Sequence, residues 1–138
     1  MPESLPRVLF VCVENSCRSQ MAEGFARALG AGRVSAFSAG SRPSGEIHPM
    51  AVRFMRERGI DLSAQTSKGL DDLPAGVRWE YIVTMGCGDA CPVYPGKRYV
   101  DWDVEDPSGK QIEGVRPIRD ELERRVLGLI DEIGVRSS

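Results

Sequence analysis

The most constraining feature is a junction near the start of the chain. The apolar run RVLFVC, Arg7 to Cys12, stops at a cysteine, the polar stretch Glu14-Asn15-Ser16 follows, and Arg18 opens a helical pattern. An uninterrupted run rich in β-branched and aromatic residues predicts a central parallel strand, buried on both faces. Arg18 to Leu29 carries Met21, Ala22, Phe25, Ala26 and Leu29 at three-and-four spacing, which makes one apolar helical face stopped by Gly30. A strand, a short loop and a helix in that order are half of a βαβ unit, and such a unit commits the chain to a parallel sheet.

The rest of the chain continues the alternation. Val34 to Ala39 predicts a second strand, and Pro49 to Arg58 an amphipathic helix on Ala51, Val52, Phe54 and Met55, closed by Gly59. Trp79 to Met85 predicts a third strand and Tyr99 to Val104 a short fourth. Gly114 to Ile133 predicts a long helix with Ile118, Leu122, Val126, Leu129, Ile130 and Ile133 on one side. Its regular part is expected to begin near Pro117, where a proline is tolerated. The expected fold class is α/β, a three-layer arrangement of a four-stranded parallel sheet flanked by helices, and 138 residues suit a single domain over 1–138.

Charge and hydropathy narrow the function. A net charge of -2 argues against a nucleic-acid partner, whose footprint is a basic surface. The longest apolar stretch, Val8 to Val13, is strand-sized, so no membrane span is expected, and Met1-Pro2-Glu3-Ser4 lacks a secretory pattern. A cytoplasmic location follows. Permanent disulfides are then the least favoured use of the four cysteines. Cys12-x4-Cys17 and Cys87-x3-Cys91 lack the paired spacing of a zinc site, and His48 is the only histidine, so neither a metal nor another cofactor is expected.

Ligands of open α/β sheets sit beyond the carboxyl ends of the strands, which is where Cys12 falls. The backbone of Val13, Glu14, Asn15, Ser16, Cys17, Arg18 and Ser19 can curl into an anion cradle at a helix N-terminus. The same donors stabilise a thiolate at Cys12. Arg18 offers a planar fork for two oxygens of a tetrahedral anion, while Asn15 and Ser19 are suited to holding the loop and the sulfur. A strand-end cysteine before a helix-capping loop is the structural alternative, and Cys17 fits a structural role. Further on, MGCGDACP sets Cys87 and Cys91 after the third strand. That segment reads either as a glycine turn with two incidental thiols or, with Cys12, as a thiol relay.

The motif VLFVCVENSCRSQMAEG resembles the phosphate-binding loop of the low-molecular-weight tyrosine phosphatase superfamily, and its second half resembles the thioredoxin-coupled arsenate reductase branch. The resemblance continues through Ser38-Ala39-Gly40, His48-Pro49, Gly59-Ile60-Asp61, Gln65-Thr66-Ser67, Cys87 to Pro92 and Asp106-Pro107. It implies reduction of arsenate to arsenite, with phosphate or sulfate as competing oxyanions. Cys12 would attack arsenate, Arg18 would clamp it and Asp106 would be the general acid. Cys87 and Cys91 would carry the oxidising equivalents outward to thioredoxin, with glutaredoxin or mycothiol systems as other reductants.

A phosphatase of the superfamily, hydrolysing phosphate monoesters through a phosphocysteine, is the alternative, and it needs neither Cys87 nor Cys91. Phosphatases usually carry an aromatic residue after the Asp-Pro pair. Here Ser108-Gly109-Lys110 follows, which suits a small inorganic anion.

Some members of the reductase branch hold potassium behind the loop, on groups matching Asn15, Glu23 and Ser38. Lys68 stands where a further acidic group is expected; it reads as a solvent-facing lysine or as an ammonium in the electrostatic role of the metal cation, and no potassium dependence is expected. Glu14 is expected to face outward or to meet a cation, and His48 to serve the start of a helix rather than to act as a base.

Overall fold

The computed structural model describes residues 5–73, 76, 78–85, 96–104 and 112–137. Four parallel strands, β1 (Arg7–Cys12), β2 (Ser35–Gly40), β3 (Trp79–Thr84) and β4 (Gly96–Asp101), form one sheet in the order β2-β1-β3-β4. Its helices are α1 (Arg18–Leu29), α2 (Pro49–Arg56) and α3 (Ile112–Ser137), with a short 3-10 turn at Leu70–Asp72.

The run RVLFVC takes the central place its composition dictates. Cys12 pairs with Gly40 on one side, and Val11 with Thr84 on the other. Val8, Phe10 and Cys12 join Tyr81 and Val83 in the larger core, under Met21, Phe25, Met55, Leu122 and Val126 from the three helices. Leu9, Val11 and Ile82 point the other way, against Leu70, Trp79 and the half-buried Leu73. The sheet thus lies between a helical layer and the layer built around the 3-10 turn. Each large side chain so buried contributes about 1.5–3 kcal/mol through removal of apolar surface from water.

Most element boundaries fall within one or two residues of those expected. α2 ends at Arg56, and Gly59 turns the chain at φ 74°, the left-handed region in which a Cβ is penalised. Leu29, counted with the apolar face of α1, is exposed.

Two elements differ more. β4 is Gly96–Asp101 rather than Tyr99 to Val104. Trp102 and Val104 are buried beyond the strand's end, so their apolarity reports core packing and not sheet pairing. α3 starts at Ile112, and Pro117 lies inside it. A proline so near the N-terminus removes only one early helical hydrogen bond, a loss that the buried Val115, Ile118 and Leu122 around it offset. Among the described residues, no helix is long and apolar enough to cross a membrane.

Candidate active site

β1 delivers Cys12 to the sheet's carboxyl edge, and the loop that follows folds back over the end of β2. Every carbonyl from Val13 to Cys17 is taken by a donor. Arg42 N meets Val13 O at 2.8 Å, Ser44 N meets Glu14 O at 3.0 Å, His48 N meets Ser16 O at 2.8 Å and Met21 N meets Cys17 O at 2.9 Å. Gln20 Nε2 donates to Asn15 O at 3.0 Å. With its acceptors engaged in this way, the loop is left with its amide N–H groups as the donors it can present to an anion. The side chain of Cys17 does not cap α1, and the first turn of α1 carries no acidic residue, so no carboxylate in that turn opposes a bound anion.

The nucleophile candidate sits at the base of this loop. Cys12 is buried, and its Sγ lies 2.9 Å from Ser19 Oγ. Asn15 Nδ2 donates to the same Oγ at 2.7 Å. A thiolate has no proton to give, so in that state Ser19 is the donor to sulfur. Asn15 is buried and holds φ 51°, a left-handed conformation unusual for a residue other than glycine. Arg18 is buried too, and its Nη1 donates to Val104 O at 3.1 Å. Glu14 is exposed, and His48 caps α2, its Nδ1 accepting from Met50 N at 3.1 Å.

Behind the loop, Glu23 is buried and accepts hydrogen bonds from Ser38 Oγ and, at 2.6 Å, from Arg27 Nε. Lys68 Nζ stands 3.9 Å from Glu23 Oε1 and donates to Thr66 O at 3.1 Å. Burial pushes the Lys68 ammonium below the usual lysine range, and Glu23 opposes that shift. These groups do not fit a potassium ion: Glu23 already has Arg27 and Lys68 beside it and Ser38 donating to it, and the Thr66 carbonyl is taken by Lys68 and Gln20.

The structure therefore gathers Cys12, Val13, Glu14, Asn15, Ser16, Cys17, Arg18 and Ser19 into one loop-and-helix start. Cys87, Cys91 and Asp106 lie outside the described residues. The described chain nearest to them in sequence reaches the site: Met85 N donates to Val11 O at 2.8 Å, and Val104 O takes Arg18.

Sequence reasoning missed Gln20, a fully buried amide that touches both Asn15 and Thr66. Its position next to Met21, on the inward side of α1, was the available signal. Gln65 was quoted only as part of a motif, yet its Nε2 donates to Gln20 Oε1 at 2.8 Å.

A family model described as low molecular weight phosphotyrosine protein phosphatase matches residues 7–137. A glutaredoxin arsenate reductase from Synechocystis sp. is 42% identical over 131 residues, spanning 94% of this chain and 99% of that protein. A Corynebacterium glutamicum thioredoxin-dependent arsenate reductase has a similar structure, with a TM-score of 0.81 at 38% identity over 99% of this chain and 65% of that one. The structure of an arsenate reductase in a phosphate binding state also gives a TM-score of 0.81, at 38% identity over 94% of this chain and 99% of that one.

Proposed function

The chain belongs to the low molecular weight phosphotyrosine protein phosphatase family, and on that footing we infer that it is an arsenate reductase, converting arsenate to arsenite by thiol chemistry at Cys12. The observation that carries the chemistry is the 2.9 Å contact between Cys12 Sγ and Ser19 Oγ beneath the anion loop. The choice of reduction over ester hydrolysis is supported by the arsenate reductases that match nearly the whole chain, and by the cysteines Cys87 and Cys91.

The proposed sequence balances as follows. Arsenate enters the cradle of Val13 to Ser19 amides, and Arg18 neutralises two of its oxygens. The Cys12 thiolate forms a sulfur–arsenic bond while one arsenate oxygen, protonated by Asp106, leaves as water. The Cys87 thiolate then attacks the Cys12 sulfur. The electron pair of the sulfur–arsenic bond passes to arsenic, which departs as arsenite, and a Cys12–Cys87 disulfide remains. Cys91 attacks Cys87, frees Cys12 and leaves a Cys87–Cys91 disulfide, which an external dithiol or thiol pair returns to two thiols. Thioredoxin is the proposed reductant, with glutaredoxin the other system named among the relatives. Such a relay needs a reducing compartment, and the cytoplasm is where we propose that it acts.

Arsenate turnover, measured with thioredoxin, glutaredoxin or mycothiol components supplied separately, tests the reading. Cys12→Ser, Cys87→Ser and Cys91→Ser are each expected to abolish multiple turnover, and only Cys12→Ser to abolish any hydrolysis of an aryl phosphate. Brisk aryl phosphate hydrolysis untouched by Cys87→Ser, with no arsenate turnover under any reductant, would overturn it.

A further inference from the structure

Gln20 is fully buried, and no step described so far uses it. Its side-chain amide has two N–H groups. Nε2 lies 3.0 Å from Asn15 O, 3.0 Å from Asn15 Oδ1 and 2.9 Å from Thr66 O, so one N–H is shared between the two oxygens of Asn15 and the other goes to Thr66. On the other side, Gln65 Nε2 donates to Gln20 Oε1 at 2.8 Å and to Gln20 O at 3.1 Å, which fixes the direction of the amide.

Asn15 Oδ1 also accepts from Lys68 N at 2.8 Å. Both groups that meet this oxygen are donors, so the Asn15 amide can present only its Nδ2 to Ser19. A continuous path of hydrogen bonds thus runs from Gln65 through Gln20, Asn15 and Ser19 to the Cys12 sulfur.

We propose that Gln20 is a positioning residue for the nucleophile, holding Asn15 in its left-handed conformation and its amide turned so that Ser19 faces the Cys12 sulfur. The inference rests on the reading of Cys12 as nucleophile given above. Gln20 touches neither sulfur nor the anion cradle's interior, and it acts through Asn15. Without its N–H groups the Asn15 carbonyl loses its donor and is free to turn toward the cradle, where it would oppose an anion.

The test uses the whole protein and readouts that do not depend on reduction. Alkylation of Cys12 by iodoacetamide is followed by site-resolved mass spectrometry, alone and with inorganic phosphate as a protecting anion. In Gln20→Leu, half-protection is expected to need about tenfold more phosphate, as for loss of one buried hydrogen bond, and Cys12 is alkylated more slowly. Gln65→Leu shifts protection in the same direction by less. Met21→Leu, a volume-conserving change at the next buried position, alters neither. The KM for arsenate is expected to rise with the phosphate requirement.

A folded Gln20→Leu protein with wild-type alkylation and protection overturns the proposal. Should that variant not fold, unchanged protection in Gln65→Leu overturns it instead. Absence of arsenate turnover in the wild type, with the protection shift present, removes the reductase reading and leaves the positioning role standing.

Discussion

Gly40 shows how little room the anion loop leaves. A Cβ there would stand 2.5 Å from Val13 O and 2.9 Å from Asn15 N, both backbone atoms that cannot swing aside. Gly40→Ala is therefore expected to displace the loop, at a cost of about 1–3 kcal/mol from overpacking. Phosphate binding, measured by calorimetry, should fall well beyond what the drop in thermal midpoint implies.

Lys68 supports a second prediction. Its ammonium stands beside Glu23 where a metal cation would compete for the same oxygens, so added potassium should leave arsenate turnover unchanged. Steady-state rates in sodium and potassium buffers of equal ionic strength would check this. The meeting of Cys12 and Arg18 was legible because a thiol and a guanidinium sit at fixed offsets around one strand–helix junction. Gln20 was not, because a lone polar residue in a helical pattern does not reveal a partner such as Thr66, which only the folded chain brings to it.

At the level of elements, α2 and α3 are joined by charge. Arg116 and Arg119 both donate to Glu57, and Arg119 also reaches Phe54 O at 3.1 Å and Asp120 at 2.9 Å. Hydrogen bonds from Arg116 and then Arg119 hold the Glu57 carboxyl down from 4.5 to about 2, against a smaller opposing effect of desolvation. A depressed carboxyl stabilises the fold above its unfolded value and loses that contribution as pH falls through its folded value. The thermal midpoint should accordingly drop as pH falls from 4.5 toward about 2, and Glu57→Gln should flatten that part of the profile. Elements with a clear pattern were readable: the extent of β1 follows from its unbroken apolar run, and the buried sides of α1 and α3, Leu29 excepted, follow from three-and-four spacing. The position of β4 was not, because Trp102 is buried by packing its ring on Phe10, a contact between distant parts of the chain.

Over the whole molecule, the candidate site is assembled from the loop after β1, the 65–68 segment and Val104, while α3 supplies core. Leu122 is fully buried in the larger cluster. Leu122→Ala should cost about 2–5 kcal/mol in denaturant unfolding. The folded fraction should still bind phosphate with wild-type affinity. The parallel sheet was legible because alternating strand and helix signals admit few topologies. The 3-10 turn at Leu70–Asp72 was not, since a short apolar segment acquires its role only from the sheet face that it covers.

The outward ties on the carbonyls of Val13 to Cys17 have a wider consequence. A mould already set before any guest arrives answers to shape and charge, so arsenate, phosphate and sulfate are expected to compete for it. Selectivity must then come from reactivity: of the three, arsenic most readily takes two electrons from sulfur, and a cell rich in phosphate would slow such a catalyst without deceiving it.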